Sequence, residues 1–341
     1  MAAVPSDTTT TATGASPSQR LSPSGSKVVQ RADPPPFEIK SAARRDRWLK
    51  FGVYATHGAG KTYLMGSAVE VPNMRDVLML NAEKGDLTLY DADFSVKVED
   101  HLDIVDASSM TQINWIYRFL KDHCTLRDRV YDARRLKKVN AASDEDVSEA
   151  TSKLADLEAR VYLDRANDLK DRTCQPREYR TLIIDSVTEA EAYCMNQLLN
   201  VTDQTSMADP GQAAEWTEFK QNHGMILRMM RSFRDLPMHV LFSFQRGYTQ
   251  DEMNKRLFMP LMTGKLASRV QGYLDMVGYL ITANPTEAKP DIVPRRLYVQ
   301  PSPTGKFDAK NRFAKFKGSF FDDPTMHKIL EAIDYGIELP S

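Results

Sequence analysis

The sequence predicts an α/β fold with a mainly parallel sheet covered by helices on both faces, and three observations carry that expectation. Short apolar, β-rich runs recur along the chain: LKFGVYA ending at Ala55, DVLMLNA at 76–82, LDIVDA at 102–107, RTLIIDS at 180–186, HVLFSF at 239–244 and DMVGYLIT at 275–282. The runs are nearly continuous in hydrophobicity, as strands buried on both faces must be. Helical stretches separate them, which is how parallel strands are joined.

The composition permits one large core or two modest ones in 341 residues, with 42% hydrophobic and 27% charged residues. Such values exclude a fibrous or wholly disordered chain. The formal net charge of -1 excludes a surface coated in positive charge, so contact with nucleic acid must come from local patches. Cys124, Cys174 and Cys194 are too widely spaced for a zinc knuckle and too few for a disulfide scaffold, which points to a reducing compartment. No apolar run approaches the ~20 residues that span a bilayer, and the N-terminus lacks a signal-peptide apolar segment. The expectation is a soluble, cytoplasmic protein with no membrane partner.

Taken in order, residues 1–38 are rich in Ser, Thr, Pro, Ala and Gly and predict a disordered tail. The basic segment from Lys40 to Lys50 leads into the first strand. The core is expected to occupy 39–125 and 177–320, with a C-terminal helix and tail over 321–341. Between the core halves, 126–176 is dense in charge and almost free of Gly and Pro. Val147, Ala150, Leu154, Leu157 and Val161 recur at steps of three and four, behind a capping box of Ser143 and Asp146. Leu126, Val130, Ala133, Leu136 and Val139 would line a facing helix, so the span predicts an inserted antiparallel helical hairpin.

The loop Ala55-Thr56-His57-Gly58-Ala59-Gly60-Lys61-Thr62, followed by Tyr63, lies between a strand and a helix, the context that a phosphate-binding loop requires. Backbone N–H groups from Thr56 to Tyr63 would cradle the phosphates of ATP. Lys61 would reach the β and γ phosphates, and Thr62 would offer its hydroxyl to Mg2+. Ala55 replaces the usual first glycine, which is tolerable at a strand end with ordinary backbone angles. A phosphate loop also needs a carboxylate at the end of a neighbouring strand to hold the magnesium shell, and RTLIIDS supplies Asp185.

Hydrolysis further requires a group that orients or deprotonates water. Ser186 follows Asp185, so no glutamate stands beside the magnesium carboxylate. Glu83, directly after DVLMLNA, is the nearest alternative, because an acidic residue there can project into the crevice of an open sheet. On these residues alone, an exposed glutamate in the AEKGD turn is the preferred reading.

With these motifs the sequence resembles the RecA-like branch of phosphate-loop ATPases, most closely the phage nucleotide-binding proteins that include the short, Sak-type single-strand-annealing recombinases. The resemblance covers roughly 45–124 and 178–320. It implies a RecA-like core in which Glu83 of LNAEKGDLTL activates water and Asp185 of LIIDS holds magnesium. It implies that Gln245, after HVLFSF, senses the γ-phosphate and reports to a DNA-binding loop. That loop would be RGYTQDEMNKRLFMPLMTGKLASRV, with Arg246, Lys255, Arg256, Lys265 and Arg269 available to phosphates and Tyr248 or Phe258 to base stacking. Lys310 and Arg312, in GKFDAKNRFAKFKG, fall where related proteins place basic residues that reach a neighbouring subunit's nucleotide.

The function expected on this basis is an ATPase of the recombinase or annealing type that binds single-stranded DNA and self-associates into a ring or filament. A single-stranded-DNA-binding or replication protein is a further expected partner, and host cytoplasm the expected location if the chain is phage-encoded. A helicase or helicase-loader-like motor shares the same core, and a small-molecule kinase with a basic lid ranks behind both.

Overall fold

A computed structural model describes residues 48–202, 204–206, 208–209, 211–250, 255–282 and 294–335. The expected tail, the basic entry segment up to residue 47 and the terminal residues 336–341 lie outside the described residues. Six strands form the parallel heart of the sheet: β1 (Lys50–Ala55), β2 (Val77–Asn81), β3 (Leu102–Asp106), β4 (Thr181–Asp185), β5 (His239–Gln250) and β7 (Met276–Thr282). β6 (Arg256–Pro260) folds back on the end of β5, while β8 (Arg295–Tyr298), β9 (Lys310–Asn311) and β10 (Phe320–Asp322) extend the β7 side antiparallel. The order across the sheet is β10-β8-β7-β1-β5-β4-β2-β3.

Residue alternation along the strands sorts the core into two layers, as a period of two demands. Tyr54, Leu80, Leu182, Ile184, Phe242, Phe244 and Val277 face one side. There they pack under α3 (Met110–Lys138), α6 (Val187–Leu198), α7 (Trp216–Arg234) and α8 (Leu266–Gln271). Phe51, Val53, Met79, Ile183, Leu241 and Met276 face the other side. Their cover is α1 (Lys61–Gly66), α2 (Leu87–Tyr90) and α9 (Met326–Tyr335). The α9 start is pinned behind α1, where the Met326 amide donates to Ser67 Oγ at 2.8 Å. These are the two covered faces that the continuous apolar runs require.

The charged span differs from its expected boundaries. The first helix begins at Met110, where Ser109 caps it through the Gln112 amide, and runs unbroken for 29 residues. Its first four turns bury Ile113, Leu120 and Cys124 on the sheet, so the stem is the outward continuation of a core helix. It pairs with α4 (Asp144–Glu158), whose Ser143–Asp146 capping box is present, and α5 (Ala166–Lys170) follows. Val130 and Leu154 are buried between them, whereas Leu136, Val139 and Val161 are exposed. The apolar stripe therefore exceeds what two helices cover, at the tip for Leu136 and Val139 and past the end of α4 for Val161.

The stem root is anchored by polar contacts. Arg127 donates to the carbonyls of Tyr179 at 2.6 Å and Pro237 at 2.7 Å. His123 Nε2 lies 3.1 Å from Glu158 Oε1, both side chains fully buried. No helix among the described residues is long and apolar enough to cross a membrane.

Candidate active site

The row of residues that matters lies at the C-terminal edge of the parallel strands. Ala55 on β1 pairs with Gln245 on β5, and Asn81 on β2 pairs with Asp185 on β4. Ala55 is fully buried in ordinary strand pairing, which is why a methyl is accommodated where a glycine was expected. Beyond it, Gly58 and Gly60 take φ of 73° and 93°, the left-handed region that glycine enters without strain. No side chain caps the start of α1, so its first backbone N–H groups remain available to a ligand.

Lys61 is 6% exposed and its ammonium reaches inward, 3.4 Å from both the Thr56 carbonyl and Gln245 Oε1. Burial lowers its pKa, an effect opposed by the charges of Glu83 and Asp185. Thr62 Oγ1 donates to Asp185 Oδ2 at 2.6 Å, and Ser243 Oγ donates to the other carboxylate oxygen. Asp185 is 1% exposed, so these hydroxyls and the nearby ammonium compensate a buried charge. The Asp185 carbonyl also accepts the Ala82 and Glu83 amides at 2.7 and 3.0 Å, which ties the Glu83 backbone to the strand carrying the aspartate.

The Glu83 side chain leans across the crevice. Its Oε1 accepts from Gln245 Nε2 and lies 3.5 Å from Nδ1 of the exposed His57, while its Oε2 is buried with no partner among the described residues. The Gln245 amide is held in turn by Thr188 Oγ1 at 3.1 Å.

The structure thus brings Lys61, Thr62, Glu83, Asp185 and Gln245 together, and leaves Thr56, His57 and Gly58 at the exposed rim. The donor set fits a magnesium-bound nucleoside triphosphate. A cation and uncapped helix-start amides would face the phosphates, a hydroxyl and a carboxylate lie side by side for a hard divalent ion, and the Glu83 carboxylate lies next to them. The chain matches the AAA domain family over residues 47–313. It belongs to that family. No curated protein matches the chain. Among solved structures, the crystal structure of the RadB recombinase is similar at 10% identity and a TM-score of 0.32, covering 74% of this chain and 81% of that chain.

Two further groups of expected residues lie outside this cluster. The stretch after Gln245 is a two-stranded hairpin, because β5 continues to Gln250 and pairs with β6 from Arg256. Residues 251–254 lie outside the described residues. Arg246 is exposed and stands 4.6 Å over the Phe258 ring, and Arg256 stands 5.0 Å over Tyr248. Phe258 is partly buried against Tyr279 beneath Arg246, and Tyr248, beneath Arg256, is 57% exposed. Lys255, Lys265 and Arg269 are exposed, the last two at the start and end of α8.

Lys310 and Arg312 are remote from the loop. The Arg312 amide donates to the Asp275 carbonyl, and the Asp275 amide to that of Lys50, so this segment is level with the beginning of β1. The loop follows the other end, about 17 Å away at ~3.3 Å per residue. The Lys310 ammonium is held by the carbonyls of Gln271 at 2.7 Å and Leu274 at 2.9 Å, and Arg312 donates to Gly272 at 2.6 Å. Burial and the Arg312 charge lower the Lys310 pKa. Their visible work is to satisfy carbonyls after α8. Sequence reasoning missed Ser243, whose only signal was a hydroxyl inside the apolar run HVLFSF, next to Asp185 across the sheet.

Proposed function

We propose that this AAA domain is an ATPase whose nucleotide state is coupled to single-stranded DNA. The observation that carries the proposal is the path of β5. Gln245 touches both Lys61 and Glu83, and the next residue, Arg246, opens the exposed hairpin that bears Tyr248 and Arg256. A change in what Gln245 contacts is transmitted to a basic, aromatic surface along one continuous strand.

Lys61 would bind the phosphates, Thr62 and Asp185 would hold Mg2+, and the Glu83 carboxylate would position and deprotonate the attacking water. Bound Mg2+ supplies Lewis-acid polarisation of the transferred phosphoryl group. Gln245, donating to Glu83 and accepting from Lys61, registers whether a γ-phosphate stands between them. On the hairpin, Arg246 and Arg256 offer guanidinium groups to the backbone of a single strand and Tyr248 a face for a base. Self-association into a ring or filament belongs to the same proposal and follows from the coupling of hydrolysis to a DNA-bound assembly.

The test is phosphate release from ATP with and without single-stranded DNA across a salt series, with particle size followed in parallel. Turnover that rises with DNA and disappears in Lys61→Ala, while that variant keeps its melting transition, supports the proposal. Turnover indifferent to DNA at every salt concentration refutes the coupling.

A further inference from the structure

A cation that the sequence does not connect to the phosphate loop lies against it. Arg295 begins β8, 235 positions after Gly60 in the chain, and pairs with Thr282 at the end of β7. Because β7 runs parallel to β1, that end projects past the edge from which the loop springs. The backbone there is fixed from both directions. The Arg295 amide donates to Asp323 Oδ1 at 3.2 Å, and the Asp323 amide donates to the Arg295 carbonyl at 2.8 Å.

From this position the side chain lies over the first turn of α1. Its guanidinium carbon stands 4.5 Å above the centre of the Tyr63 ring, and Tyr63 is itself stacked on Phe94 at 5.1 Å. A Cβ placed on Gly60 would come within 2.6 Å of Arg295 Nε and 2.9 Å of its Cζ. Gly60 is required for its φ of 93°, and its missing side chain leaves the guanidinium the place it occupies.

Neighbouring arginines are satisfied by carboxylates. Arg296 pairs with Asp322 at 2.7 Å and lies over Phe320, on the side of the strand away from the loop. Among the described residues, Arg295 has no carboxylate partner for its guanidinium. A guanidinium laid on an aromatic platform, without a carboxylate partner among the described residues and in contact with the loop that would cradle phosphates, is prepared for an anion.

We propose that Arg295 is a nucleotide-binding residue acting in cis, contributing a guanidinium to the phosphate chain of the nucleoside triphosphate, with Tyr63 as its support. This rests on the assignment of the loop as a nucleotide site.

The test is titration of fluorescent ATP and ADP analogues, with magnesium, into the full chain and into three variants. Arg295→Met keeps side-chain length and packing over Tyr63 but removes the charge. Arg295→Lys keeps the charge and removes the planar fork. Arg296→Ala is the control for loss of a nearby cation.

Arg295→Met is expected to weaken both nucleotides about 10- to 100-fold, the range for a hydrogen bond to a charged group. Arg295→Lys should lie between it and wild type, and Arg296→Ala within about twofold of wild type, as expected of a cation outside the site. Melting curves without nucleotide should superimpose for wild type and Arg295→Met, while the nucleotide-induced rise in melting temperature shrinks in the variant. Arg295→Met binding within twofold of wild type overturns the proposal and leaves the loop assignment standing. A wild-type chain that binds neither analogue overturns the loop assignment itself. If Arg295→Met does not fold, Arg295→Lys decides: unchanged affinity for both nucleotides then overturns the proposal, because a phosphate contact through the planar fork is not matched by a point charge.

Discussion

The role of Glu83 is open to a direct test through Glu83→Gln. The substitution is nearly isosteric, and the structure allows its side effects to be bounded. The amide oxygen can take the place of Oε1 and keep the bond from Gln245 Nε2, while the new NH2 occupies the position of Oε2, which has no partner to lose. The backbone of residue 83 stays fixed by the Asp185 carbonyl at 3.0 Å.

The expected stability cost is the difference between one charge-assisted and one neutral hydrogen bond, about 1 kcal/mol. Losing a general base costs about 10²- to 10⁴-fold in rate, or roughly 3 to 5 kcal/mol in the barrier. Removing a negative charge that faces the phosphates leaves nucleotide affinity unchanged or tighter. A uniform defect in the fold would weaken binding and turnover together, so the two readouts separate the explanations. Single-turnover phosphate release and a fluorescent-nucleotide titration make the comparison. Turnover within about tenfold of wild type, with binding intact, would refute the role of Glu83 as the base.

Asp185→Asn should keep the fold within about 2 kcal/mol, since both hydroxyls that donate to the carboxylate can still bond to an amide. It should also raise the magnesium concentration for half-maximal turnover about 10-fold or more, read from a magnesium titration. Arg246→Ala with Arg256→Ala removes two phosphate contacts from the hairpin. The slope of log affinity for single-stranded DNA against log salt should then fall by roughly 1.4, at about 0.7 per contact, and an unchanged slope places the DNA elsewhere. Acid sensitivity follows from His239, whose neutral Nδ1 accepts the Leu49 amide at 3.1 Å. Its pKa is pushed down to about 4 by burial first and then by the Lys50, Arg180 and Arg127 charges. Below pH 6.5 the unfolded chain binds this proton and the folded chain does not, so stability falls as pH drops toward 4, by about 3 kcal/mol in all. His239→Asn should flatten that part of the unfolding curve, measured by denaturant titration at several pH values.

What the sequence alone settled was local. A loop of contiguous residues between an apolar strand and a helix specifies its own geometry, because Gly58, Gly60, Lys61 and Thr62 are joined by short backbone segments. The end of each apolar run likewise placed Glu83 and Asp185 at the close of their strands and Gln245 at the end of the parallel-paired part of β5, since a residue that closes a buried parallel run emerges at the edge of the sheet. The stem was legible as helical periodicity, but its beginning was not. Ile113 and Leu120 pack on the sheet, and only the fold separates that part of the helix from its outward half.

The tertiary structure decided everything that depends on strand order and register. Antiparallel pairing of β9 with the first residues of β7 puts Lys310 and Arg312 at the edge of the sheet away from their own chain's loop, bonded to carbonyls. Arg295 had no distinguishing signal in a basic stretch, yet the pairing of β8 with the last residues of β7 lays its guanidinium on Gly60. The same two strands of β-rich sequence could have been registered either way by propensity alone. The choice is made by which apolar side chains the whole sheet buries on each face, a sum over the molecule that no short segment contains.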